Sequence, residues 1–137
     1  MKISTTILAA GASKRMGDLN KLLLLLDNKP IIHSVCKIAL ETKLDQIILV
    51  TGYQNFEIEK VVPEEINNII YNKNWRHGMM TSIYVGLSNL DDDIDGNMII
   101  LGDMPLITVC TINLLIDEFK KCKGNHIVYP IYKAKQA

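Results

Sequence analysis

The chain has 137 residues, 48% of them hydrophobic and 22% charged, which is one domain's worth and excludes a disordered polymer. Its longest apolar run, residues 22–26, is too short to cross a bilayer and lies too far in, with no small-residue cleavage site, to be a secretory leader. Fifteen Lys and Arg balance fifteen Asp and Glu, against a nucleic-acid binder held mainly by phosphate contacts.

In chain order, residues 3–8 are a short apolar run bounded by Gly11, predicted to be a buried strand. Pro30 opens a helix in which Ile31, Ile32, Val35, Ile38 and Ala39 recur at helical spacing. Residues 46–50 are a β-branched second strand closed by Thr51 and Gly52. Residues 53–62 read as a short helix stopped by Pro63, and residues 68–71 as a third strand. After a turn at Gly78, Met79, Ile83, Leu87 and Leu90 mark one face of another helix. Residues 98–101 make a fourth strand ending at Gly102. Ile112, Leu115, Ile116 and Phe119 stripe a last helix, with Thr108 or Thr111 as N-cap. Lys120, Lys121 and Lys123 suit its C-terminal dipole and Gly124 its stop. Residues 127–129 begin a fifth strand.

Alternating strands and helices predict an α/β protein, a mostly parallel sheet with helices on both faces, with no linker or repeat dividing residues 1–137. Ligands of such sheets bind beyond the carboxyl ends of the strands, so function is expected after Leu8, after Val50 and after Leu101. Three widely spaced cysteines, Cys36, Cys110 and Cys122, form neither a zinc pattern nor a disulfide framework. Buried, inert thiols in helices and a reducing, cytoplasmic setting follow from them. His33 and His126 have no acidic partner nearby in sequence and read as structural; His77 reads as a solvated loop residue.

Charge is uneven: residues 1–43 carry seven basic and three acidic side chains, and residues 91–95 form an acidic, solvated counterweight. The basic third contains the loop Leu8-Ala9-Ala10-Gly11-Ala12-Ser13-Lys14-Arg15-Met16-Gly17, followed by Lys21. Small residues after a buried strand leave backbone amides open, and Gly11 allows conformations closed to other residues, so that N–H groups can converge on an anion. Ser13 adds a hydroxyl, Arg15 a fork matched to phosphate oxygens, and Lys21 a second positive charge. The loop has the composition of a phosphate cradle, but it is neither a Walker loop nor a dinucleotide fingerprint. A plain glycine turn flanked by solvated basic residues has the same composition. Asp103, between Gly102 and Pro105, is a carboxylate just past a strand, where an exposed loop acid or a helix N-cap is also at home.

The run LAAGASKRMG followed by NKLLL resembles the signature of the MobA-like NTP transferase family, closest to its molybdenum-cofactor cytidylyltransferases. The resemblance continues at Val50-Thr51-Gly52, at Trp75-Arg76-His77-Gly78-Met79 and at Leu101-Gly102-Asp103-Met104-Pro105-Leu106, in the family's order. It implies a three-layer Rossmann-like nucleotidyltransferase fold over residues 1–137, shortened at its C-terminal end. The acceptor pocket and a second acidic metal ligand would belong to the part beyond. It implies that Leu8, Ala9, Ala10 and Gly11 hold the nucleobase, that Ser13, Arg15 and Lys21 bind the triphosphate, and that Asp103 coordinates Mg²⁺. Arg15, Lys21 and Asp103 would be the catalytic residues. Thr51, Gly52, Gly78, Met79 and Ser82 would lie near the base and ribose, although Trp75 serves equally as a packing anchor and Met79 and Met80 as core. The Ala9-Ala10 pair looks like that of relatives preferring CTP. The implied reaction transfers CMP from CTP to a phosphorylated acceptor, molybdopterin or molybdenum cofactor, with release of pyrophosphate and no nucleic-acid or membrane partner. A sugar- or alcohol-phosphate acceptor, or a non-catalytic nucleotide-binding module, are the competing readings.

Overall fold

The computed structural model describes residues 1–12 and 19–131. Strand β1 (Ile3–Ala9) is buried along its whole length and forms the centre of the sheet. After it come a 3₁₀ turn (Lys21–Leu23), a hairpin of β2 (Leu25–Leu26) and β3 (Lys29–Pro30), and helix α1 (Ile31–Leu40). Then follow β4 (Gln46–Thr51), α2 (Asn55–Val61), β5 (Ile69–Tyr71), a 3₁₀ turn (Trp75–His77), α3 (Met79–Ser88), β6 (Gly96–Leu101) and α4 (Val109–Lys121). The main sheet is ordered β5-β4-β1-β6, and all three of its pairings are parallel. The expected α/β architecture is therefore present.

Side chains alternate along the central strands. Ile3 and Ile7 of β1, Leu49 of β4 and Ile100 of β6 pack with Ile32, Val35, Cys36 and Ala39 of α1, Ile58 of α2, and Ile112 and Ile116 of α4. Ile48 and Val50 face the other way, toward Val85 of α3, Leu90 and Trp75. Burial pushes the Cys36 thiol up to about 12, so that thiol stays protonated and inert. Cys110, by contrast, is exposed on α4. His33 is structural as expected, its Nδ1 lying 2.9 Å from the Val61 carbonyl.

Several expectations fail for definable reasons. Residues 127–129 form no strand: Ile127 and Tyr129 are 91% and 69% exposed, and among the described residues β6 pairs only with β1. A β-branched run becomes a strand only where a ladder accepts it. Helix α3 buries Ser82 and Gly86, while Met79 and Leu87 are exposed. Its inner face is built from small residues because Gly86 lies directly against the Thr6 side chain, a close approach that bulky residues would prevent. The leucine-rich segment, to which the sequence assigned no element, is a turn and a hairpin, reversed at Asp27 and Asn28, both at positive φ (52° and 66°), as a two-residue hairpin turn requires. The N-terminal charge excess is also dispersed. Lys2 pairs with Asp93 and Lys43 with Asp117, at the starts of β1 and β4, the end of the sheet away from the strands' carboxyl edge. Asp95 is engaged as well, its carboxylate accepting the Lys2 backbone N–H at 2.8 Å.

Candidate functional site

The chain steps outward from β1 to β4 and β5, then crosses back through α3 to place β6 on the other side of β1. This reversal opens a crevice between β1 and β6 at the carboxyl edge of the sheet. The two strand ends are tied together there, the Gly102 N–H donating to the Leu8 carbonyl at 2.9 Å. A Cβ on Gly102 would sit 2.7 Å from that oxygen, so the close approach demands glycine. Asp103 is the next residue and leaves the sheet exposed.

Lys21 arrives from the opposite lip. Asn20 is buried and caps the 3₁₀ turn, its Oδ1 accepting the Leu22 N–H at 3.1 Å. Leu22 anchors the turn in the core, which leaves Lys21 outside. Lys21 Nζ and Asp103 Oδ2 are 3.6 Å apart, their side chains 46% and 42% exposed. An ion pair that open contributes about 0–1 kcal/mol to stability. Its significance is chemical, because an ammonium and a carboxylate stand side by side, both accessible.

Below them is a cleft of about 630 Å³. Its floor and near lip are Leu8, Ala10, Gly11, Ala12 and Leu22, and its far side is Leu101, Gly102 and Asp103. The third wall comes from the turn before α3: Trp75, Arg76, Gly78, Met79 and Ser82. Residues from four separated stretches of sequence thus converge on one space.

Of the residues singled out from sequence, Leu8, Ala10, Gly11, Lys21, Gly78, Met79, Ser82 and Asp103 line the cleft. Ser13 and Arg15 lie outside the described residues. Ala9, Thr51 and Gly52 are buried behind the lining instead. Ala9 packs into the core beneath the sheet, and the Thr51 carbonyl receives the Asn72 N–H at 2.8 Å. Gly11 takes no positive φ; what it contributes is open space, with nothing among the described residues within 4 Å of where its Cβ would be. The positive φ is at Gly78, +108°, just where the chain turns into α3.

Trp75 and Arg76 belong to the cleft although sequence reasoning gave neither a ligand role. The Trp75 ring packs against Tyr53 with centroids 5.6 Å apart, and the Arg76 guanidinium lies 4.9 Å above it. The signal was present, since the Gly78 turn that carries Met79 into the cleft carries its two upstream neighbours too. Met79 and Met80 are exposed, at 57% and 72%, and are not core.

Gly52 supports this wall from behind. A Cβ there would fall 2.6 Å from the Trp75 Cβ and 2.7 Å from the Ala10 carbonyl. Gly52→Ala should therefore destabilise the protein by about 1–3 kcal/mol through overpacking and displace the Trp75 ring. Trp75 is the only tryptophan, so its emission reports the displacement alongside the melting temperature. An unchanged spectrum and melting point would contradict this account.

Fold and cleft together define an α/β protein of Rossmann-like topology with its site at the switch point of a parallel sheet. The chain belongs to the MobA-like NTP transferase family, whose domain it matches over residues 5–137. It is 33% identical over 116 residues to a protein of Thermococcus gammatolerans named probable molybdenum cofactor guanylyltransferase, covering 84% of this chain and 56% of that one. A protein of the same name from Natranaerobius thermophilus is 30% identical over 132 residues, covering 92% and 59%. Among solved structures, a nucleotidyl transferase from Methanothermobacter thermautotroptrophicus superposes with a TM-score of 0.76 at 25% identity, over 85% of this chain and 57% of that one. A CMP:2-keto-3-deoxy-manno-octonic acid synthetase complexed with CTP shares the fold alone, at TM-score 0.75 and 20% identity, over 90% and 49%. This chain spans less than three-fifths of the length of the two curated relatives.

Proposed function

We propose that this chain handles the nucleotide in a transfer of a nucleoside monophosphate from a triphosphate, CTP, to a phosphorylated small-molecule acceptor of the molybdenum-cofactor type, releasing pyrophosphate. The observation that carries the reading is the Lys21–Asp103 pair, 3.6 Å apart at the mouth of a cleft at the switch point. The acceptor's phosphate is its own nucleophile, ionised near neutrality, so no general base is needed. It attacks the α-phosphorus as pyrophosphate leaves in line. The protein's part is positioning and charge neutralisation. Lys21 stabilises charge on the transferring phosphate and Arg15 and Ser13 hold the rest of the triphosphate, while Trp75, Gly78, Met79 and Ser82 form the base and ribose wall.

Asp103 suits a magnesium ion. Among the described residues it is the only acidic one lining the cleft, and no group of three metal-ligating side chains exists among them. Mg²⁺ accepts such a site because it binds through one or two carboxylates with waters and substrate phosphates. Bound there, it would neutralise phosphate charge.

CTP is favoured by the Ala9-Ala10 pair; GTP is the second reading, favoured by the guanylyltransferase names of the curated relatives. One methyl group in a pocket is worth only about 1–3 kcal/mol of discrimination. The cytoplasmic setting is part of the proposal, supported by three free thiols; no helix among the described residues is long and apolar enough to cross a membrane. The test is pyrophosphate release by the full chain with Mg²⁺, CTP or GTP, and either molybdopterin or a sugar- or alcohol-phosphate. Release with CTP and molybdopterin is expected. Release with GTP alone would reassign the donor, and release only with the other acceptors would reassign the acceptor. Nucleotide binding without release would replace transfer by a binding role.

A further inference from the structure

Asn72 follows β5 and is 2% exposed, yet its side chain is fully hydrogen-bonded. Its Nδ2 donates to Thr81 Oγ1 and to Ser82 Oγ, each at 2.9 Å. Its Oδ1 accepts the Asn74 N–H at 3.0 Å. Both amide hydrogens are used, and the opposite orientation would set the NH₂ group against the Asn74 N–H, donor against donor. The amide is therefore fixed. Thr81 accepts from Asn72, and its own proton has two carbonyls within reach, Gly78 at 2.7 Å and Asn74 at 3.1 Å, of which the nearer takes it. That carbonyl is the usual acceptor for a helical serine four residues on, and Thr81 already occupies it through both its hydroxyl and its N–H, the latter at 3.2 Å.

Ser82 is thus left with an oxygen that accepts from Asn72 and a proton with no acceptor among the described residues, and it lines the cleft. We infer that Asn72 is a positioning residue that makes Ser82 a hydrogen-bond donor into the cleft, so that the bound nucleoside presents an acceptor at this wall. A base carbonyl, an unprotonated ring nitrogen or a sugar oxygen meets that demand; an exocyclic amine does not. The inference rests on the nucleotide reading above and adds a polarity to it. It also gives Asn72 a role of its own, through Thr81 and Asn74, in fixing the turn that carries Trp75.

The test is calorimetric titration of the full chain with CTP, GTP and inorganic pyrophosphate in the presence of Mg²⁺. Ser82→Ala, which leaves Asn72 its bonds to Thr81 and Asn74, should weaken the better-bound nucleotide about three- to tenfold, the scale of one hydrogen bond. Asn72→Asp replaces the donor by an oxygen that draws the Ser82 proton away from the cleft, and should weaken it at least as much. Pyrophosphate, which carries no nucleoside, should bind both variants like the wild type. In the double variant the two losses should not multiply, because Asn72 acts through Ser82. Wild-type nucleotide affinity in Ser82→Ala, multiplying losses, or equal loss of pyrophosphate binding would each overturn the inference. If Asn72→Asp does not fold, Ser82→Ala decides alone. A wild type that binds neither nucleotide overturns the nucleotide reading together with this inference, whereas binding unaffected by Ser82→Ala removes only the latter.

Discussion

Alanine at Asp103 is expected to lower nucleotidyl transfer by about 10³-fold or more, on the scale of losing preorganised charge stabilisation. The fold should survive. Asp103 is half-exposed, and its ion pair with Lys21 is equally open, so its removal should cost no more than about 1 kcal/mol. The chemical loss is large because no other acidic side chain among the described residues lines the cleft. Two measurements check this: pyrophosphate release by the full chain, and nucleotide affinity with and without Mg²⁺. The variant should lose both turnover and the magnesium dependence of binding. Asp103→Asn, which keeps the shape and removes the charge, should behave the same way. Turnover within a few-fold of wild type in either variant would remove Asp103 from the metal site.

That Asp103 could be singled out from sequence follows from how such sheets are built. A buried strand announces itself as an apolar run, and residues just past its carboxyl end must face the crevice. Leu8 near the end of β1, Ala10 and Gly11 after it, and Asp103 after β6 obey that logic, and all four line the cleft. Thr51, which ends β4, and Gly52, which follows it, occupy the equivalent place but lie behind the lining, because the Trp75 turn folds over them: the Trp75 side chain packs against Gly52. Whether a strand end is open or covered depends on a segment more than twenty positions later, and local sequence carries no record of it.

Helix α3 shows a second limit. Its apolar stripe, Met79, Ile83, Leu87 and Leu90, is not the buried face: the buried positions are Ser82 and Gly86. Hydrophobic periodicity finds the face with the most to bury, whereas here close approach to Thr6 selects the smallest side chains. The same packing frees Met79 for the cleft. The Asp27-Asn28 turn is a milder case, since two residues tolerant of positive φ between apolar pairs are a readable hairpin signal. Asn72 had no readable signal at all. Its importance lies in three partners, Asn74, Thr81 and Ser82, that only the folded turn brings within reach.

Lys21→Ala is the companion prediction, with an expected fall in turnover of about 10²-fold or more, the cost of losing one preorganised donor to developing negative charge. Stability should change little, for the reason given for Asp103. Lys21→Arg separates charge from geometry: the guanidinium keeps the positive charge but presents a planar fork in place of a compact point charge. It should restore nucleotide affinity more fully than turnover, because binding needs attraction alone and transfer needs placement at the reacting phosphate. Arg76 also lines the cleft, yet its guanidinium is held over the Trp75 ring, so it should not replace Lys21. Combining Lys21→Ala with Asp103→Ala should cost far less than the product of the single losses, since groups acting on one transition state fail as a unit. Full multiplication of the two effects would mean that the 3.6 Å pair is a neighbourly contact between independent residues. An unchanged rate in Lys21→Ala would return Lys21 to the solvated surface.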